Sequence, residues 1–198
     1  MHHTRHSSIV IVLAVAVVAC SRTDTPAAAQ SASATSASAS APAAAPASAG
    51  PDAPLNLCTV MPVDVVSRVL QSQIGKSVAS GTRHSGGMCD YKDVDKGVPK
   101  VEVLVDFTRH ERAADAATAY RNVHKQAADM GLALVDVPGI GDEAYGSSDS
   151  QESYGVKVHS GAYMGQVNVH AEGVPSDALR PAAIELARQT LARLPAAP

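Results

Sequence analysis

Apolar residues are distributed along the chain in three distinct ways. Residues 9–19 form an unbroken apolar run of eleven. Residues 26–51 carry no large apolar side chain at all, and all but Gln30, Thr35 and Gly50 are Ala, Pro or Ser. From Leu55 onward the apolar positions become periodic. Val65, Val66, Val69 and Leu70 form a stripe at helical spacing over residues 62–71, with Pro62 at the start and Gly75 as the stop. Met88 to Lys92 read as the start of a strand after a Gly86-Gly87 turn, and residues 93–99 as a hairpin loop. Residues 101–108 alternate strictly: Val101, Val103, Val105 and Phe107 share one side, Glu102, Leu104 and Asp106 the other.

A long helix is predicted over residues 111–130, because Ala113, Ala116, Ala117, Tyr120, Val123, Ala127 and Met130 recur at spacings of three and four. Its stripe is mostly Ala, which lets it approach a sheet closely, and Gly131 is a natural stop. Residues 132–137 read as a strand ending at Pro138-Gly139, and residues 139–145 as a glycine-rich turn leading into another. Residues 154–160 and 163–171 form a hairpin about Gly161. The chain closes on an amphipathic helix over residues 177–194, in which Pro181 belongs near the first turn. Tight turns between successive strands imply antiparallel pairing. The expected fold is α+β: a twisted antiparallel sheet with helices packed on one face, preceded by a disordered tether.

The three regimes divide the chain into a signal peptide at 1–19, a tether at 20–54 and a domain at 55–198. The apolar run is too short to span a bilayer, which takes roughly 20 residues, and suits the h-region of an export signal. The low-complexity segment has nothing to bury that would offset the cost of ordering it. As a flexible coil, the stretch between Cys20 and Leu55 spans roughly 30–35 Å.

The run ends Val17-Val18-Ala19-Cys20, which resembles the lipobox of bacterial lipoproteins, with Val17 where that family most often has Leu. The resemblance implies a thioether-linked diacylglycerol on Cys20, with N-acylation in many bacteria. Two or more acyl chains anchor stably where one binds only marginally. Ser21, in place of Asp, implies sorting to the periplasmic side of the outer membrane in a host with two membranes.

Cysteine parity bears on the same point. The chain has three cysteines. Lipidating Cys20 leaves Cys58 and Cys89, which allow one connectivity, a disulfide worth roughly 3–4 kcal/mol in the chain-entropy model. A metal site is the rival account, but the two cysteines lack any CxxC spacing.

A second resemblance covers most of residues 55–194. A Cys before an opening helix (Cys58), the triplet Cys89-Asp90-Tyr91, the turn Gly139-Ile140-Gly141-Asp142-Glu143-Ala144-Tyr145 and a closing Leu-Ala-Arg helix recur in small envelope lipoproteins. These belong to a family of unknown function with sensor-like domains. The resemblance implies a disulfide-stabilised α/β ectodomain and carries no catalytic residue across.

Composition removes several function classes. A formal net charge of −3 and an aromatic content of 3%, without Trp, oppose nucleic-acid binding by either a basic footprint or stacking platforms. Gly75-Lys76-Ser77 has the tail of a P-loop, but Leu70 stands where the motif needs Gly. The glycines of 139–145 could cradle an anion through backbone amides; Asp142 and Glu143 count against it, and a turn that needs positive φ is the plainer account. The domain's histidines (His84, His110, His124, His159, His170) form no His-Glu-x-x-His motif. His110 and His124 stand near four turns apart on a helix, and His159 and His170 about 20 Å apart on a hairpin. No metal, no cofactor and no catalytic set is therefore expected.

One face remains as candidate chemistry. The polar side of the sheet would carry Glu102, Leu104, Asp106, Lys157, His159, Met164, Gln166, Asn168 and His170, with His159 a potential neighbour of Glu102 or Asp106. The plainer account is the wet side of a one-sided sheet, but Leu104 and Met164 are out of place there. The resulting expectation is a lipid-anchored envelope lipoprotein, membrane-held through Cys20. Its non-enzymatic domain would bind a periplasmic protein or small ligand, in sensing, envelope maintenance or inhibition of a toxin. An enzyme acting on cell-wall material and a passive spacer are the alternatives.

Overall fold

The computed structural model describes residues 55–83, 86–93 and 101–197. The expected signal peptide, Cys20, the tether and the expected 93–99 loop apart from Asp93, which ends a strand, lie outside the described residues. Among those described, no helix is long and apolar enough to cross a membrane.

Among the described residues, four helices and seven strands follow in the order α1 (Leu57–Val60), α2 (Val63–Leu70), β1 (Ile74–Arg83), β2 (Gly86–Asp93), β3 (Val101–Arg109), α3 (Ala113–Asp129), β4 (Val135–Asp136), β5 (Glu143–Ser150), β6 (Ser153–Ser160), β7 (Tyr163–Ala171) and α4 (Ser176–Leu191). The strands make one sheet in the spatial order β1-β2-β3-β7-β6-β5-β4. Every neighbouring pair is antiparallel. The fold is thus α+β on an antiparallel sheet. β3 and β7 sit side by side at its centre although α3 and three strands separate them in sequence.

The alternation of β3 fixes the two faces of the sheet. Val103, Val105 and Phe107 are fully buried, and they stand in register with Cys89 and Tyr91 of β2 and with Val167 and Val169 of β7. Val156 and Val158 of β6 extend the same face. Leu57, Met61 and Val66 from the α1–α2 end, and Ala183, Leu186 and Ala187 from α4, close over it as one core. The Cys58–Cys89 disulfide, with Cα atoms 5.2 Å apart, ties α1 to β2 at the rim of that core. Beside it the Tyr91 hydroxyl donates to the Met61 carbonyl at 2.5 Å, and burial pushes the phenol well above its ordinary pKa.

The fourth helix does not share this face. α3 packs on β6 and β7 from the opposite side, where its Tyr120 ring lies 5.6 Å from Tyr145 and 6.1 Å from His159. Tyr145 is in register with Lys157, whose chain neighbours Val156 and Val158 are in the core. The expectation of helices on one face thus holds for α1, α2 and α4 and is corrected for α3. The reason lies in the stripe: Ala116, Tyr120 and Ala127 are buried, and a mostly Ala surface can lie close on a sheet of either polarity.

Smaller differences are local. Residues 74–83, too weakly alternating to predict, form the edge strand β1; Gly75, Lys76 and Ser77 belong to that strand and not to a phosphate-binding loop. Gly86 and Gly87 start β2 instead of a turn. The strand expected over 132–137 contracts to Val135–Asp136. Pro181 lies inside α4, beyond its first turn.

Candidate binding site between the sheet and helix α3

The register gathers the predicted polar face. Leu104 stands opposite Asn168, Asp106 opposite Gln166 and Glu102 opposite His170; Lys157 stands opposite Gln166 and His159 opposite Met164. His159 is not beside Glu102 or Asp106. Met164, its partner on β7, pairs with Thr108 on β3, and the other flank of His159 is Glu143 of β5.

This face is not the open, wet surface that a one-sided sheet would present. Glu102 is exposed and pairs with Lys92 at 3.3 Å, but Leu104, Asp106, Lys157, Met164, Gln166, Asn168 and His170 are half-buried and His159 is buried. α3 causes the difference. It stands across β6 and β7 and leaves a cavity on each side of Lys157. One, about 320 Å³, is lined by Asp106, Thr108, His110, Val123, Met164 and Gln166 together with Lys157. The other, about 290 Å³, is lined by Gln126, Ser147, Asp149 and Asn168, with Val123, Met130 and Leu132 as an apolar wall.

Lys157 therefore links two small cavities of mixed polarity. Its ammonium donates to the Gln166 side-chain oxygen across the β6–β7 pair. Burial pushes its pKa below the ordinary lysine range, and the carboxylates of Asp149 and Asp106 pull it part of the way back. A desolvated cation flanked by acids, amides and an apolar wall is the makeup of a ligand-orienting site: a few polar groups set on an otherwise apolar lining. Gly155 contributes by having no side chain, since a Cβ there would fall 2.2 Å from Asn168 Oδ1. The Asn168 side-chain oxygen occupies the space that a Cβ at residue 155 would take.

A second grouping was not read from the sequence. Tyr120 and His124, one turn apart on α3, meet Tyr145 and His159 from the sheet. The His124 and Tyr145 rings stand edge to face at 4.8 Å, and His124 lies 6.3 Å from Tyr120. The available signal was the spacing of four between Tyr120 and His124, which puts both on one helix face. The glycine-rich turn at 139–145 approaches this cluster, with the expected positive φ at Gly139 (+77°) and Gly141 (+57°). Asp142 Oδ2 accepts from the Gly161 amide at 2.8 Å and so fastens this turn to the β6–β7 hairpin.

Among the described residues, no group of three or more His, Cys, Asp or Glu side chains could hold a metal ion. No curated protein matches the chain. A family model does match, over residues 15–174, so that it begins inside the apolar run and reaches past the last strand. The chain belongs to the DUF3558 family, described as proteins of unknown function.

Proposed function

We propose that the protein is a lipid-anchored lipoprotein of the cell envelope, held through Cys20, whose domain binds a ligand or partner without transforming it. The observation that carries the binding half is the seat of Lys157, desolvated between two cavities under α3. A purely solvated sheet face would carry neither a helix across its polar residues nor a cation half withdrawn from water. The envelope half draws support from the Cys58–Cys89 disulfide, a bond that persists in oxidising compartments. Cys20 is then left over at the end of an apolar run, within the stretch that the family model covers.

The binding reading is tested with the full chain in detergent micelles, exposed to envelope extract of its own host. Saturable retention of one species should be lost in Lys157→Met and kept in Arg68→Ala, a change at an exposed ion pair far from the groove. Turnover of cell-wall fragments by the wild type, or no saturable retention at all, would instead favour the enzyme or the spacer.

A further inference from the structure

The cavity of about 290 Å³ beside Lys157 is lined by two opposite charges, Lys157 and Asp149. The field of Asp149 reaches the Lys157 ammonium and offsets part of the cost of its burial. Yet among the described residues neither side chain forms an ion pair, with the other or with any third group. The hydrogen-bond partner of Lys157 is the neutral side-chain oxygen of Gln166. A cation withdrawn from water without a counter-charge at contact is costly to the fold, and here the counter-charge stands across a gap.

Register sets the floor of that gap. Ser147 of β5 stands opposite Gly155 of β6, and Gly155 stands opposite Asn168 of β7. Lys157 is two residues along β6 from Gly155 and therefore on the same face. The glycine leaves the floor without a side chain between Ser147, which is buried, and the Asn168 amide, so polar groups surround an unfilled centre. The facing wall is of the opposite character. Val123, Ala127 and Met130 recur on α3 at spacings of four and three, and Leu132 follows the helix end. Met130 is 66% exposed, an apolar side chain left in water beside the cavity that it lines.

These features select among ligand chemistries. A plain anion at Lys157 would face the Asp149 carboxylate, and a plain cation at Asp149 would face the Lys157 ammonium. A zwitterion meets both charges with the correct sign. Its carboxylate accepts from Lys157 and from the Asn168 amide, and its ammonium, with three N–H donors, gives to Asp149. An apolar substituent on the carbon between them then lies against Val123, Met130 and Leu132.

We infer that this cavity binds a free α-amino acid with an apolar side chain, held by Lys157 and Asp149 at its two charges and by the α3 wall at its side chain. The inference rests on the reading of the Lys157 groove as a binding site and names the class of ligand. The volume lies at the small end of ligand pockets, which suits one amino acid and not a longer peptide.

The test is calorimetric titration of the full chain in detergent at pH 6 with L-leucine and D-leucine. Three further probes each lack one part: 4-methylvalerate the ammonium, 3-methylbutylamine the carboxylate, and glycine the side chain. Saturable binding of at least one leucine enantiomer is expected, with each of the three lesser probes about tenfold weaker or silent. Lys157→Met should abolish leucine binding. Asp149→Asn, at an exposed position, should weaken leucine several-fold and leave 4-methylvalerate no weaker than before, a split that a loss of folding would not produce. Silence from both enantiomers, equal binding of 4-methylvalerate or of 3-methylbutylamine, or full affinity for leucine in Asp149→Asn would overturn the inference. If envelope extract still yields one species retained through Lys157, such a result removes the amino-acid class and leaves the binding reading in place; if extract yields none, both fall.

Discussion

At the scale of the residue, Lys157 is the most informative side chain. Its ammonium is held below the ordinary lysine range by burial, whereas in the unfolded chain it titrates near 10.4. Between those two values the unfolded state binds more protons, so stability rises with pH across that window. Below that window the group is charged in both states and the desolvation penalty is fully present. Lys157→Met removes the charge and keeps most of the aliphatic stem. The variant should melt above the wild type at pH 7, and its advantage should shrink as the pH is raised past 10. Thermal unfolding at the two pH values checks this; a variant less stable at pH 7 would mean that Gln166, Asp106 and Asp149 more than compensate the buried charge. A residue that destabilises the fold where it sits is a reasonable place to look for function.

Elements differ in how plainly the sequence announces them. β3, β7 and α4 follow directly from spacing, because one side of each packs into a core of Val, Phe, Leu and Ala, and period reveals burial. The disulfide was legible by counting. β1 was not legible: it is an edge strand whose Val78 is exposed, so nothing imposed alternation on it. α3 was legible as a helix but not as a lid, because an Ala stripe reports closeness of packing and not the side on which it packs. That ambiguity is also why spacing alone left open whether the polar face is wet or covered, and why the neighbours of His159 could not be read. Register lies in the pairing, and the local pattern does not encode it. α4 gives the cleanest energetic test at this scale. Leu186 is fully buried against the sheet, and Leu186→Ala should cost about 2–5 kcal/mol, since the lost transfer energy and the residual cavity add. Denaturant unfolding with an unchanged m-value measures it. A loss under about 1 kcal/mol would mean that α4 is not a principal lid of that core.

For the whole molecule, the proposed anchor, tether and domain have separate tasks that fit one address. On the proposed reading a lipid on Cys20 would fix the chain to a membrane surface, and the tether expected from the sequence would give a reach of roughly 30 Å. The domain is closed by a bond that suits an oxidising compartment. The cavities that Lys157 lines lie on the α3 side of the sheet, opposite the core that α4 closes.

The measurement that tests this account most directly is the intact mass, without reduction, of the protein purified from its host's membranes. The prediction is a chain that begins at Cys20, carries at least a diacylglycerol there, and is two hydrogens lighter than its thiol form through Cys58–Cys89. A chain that begins at any other residue, or one in which Cys20 is a free thiol, would contradict the anchored-lipoprotein reading, however well the domain binds.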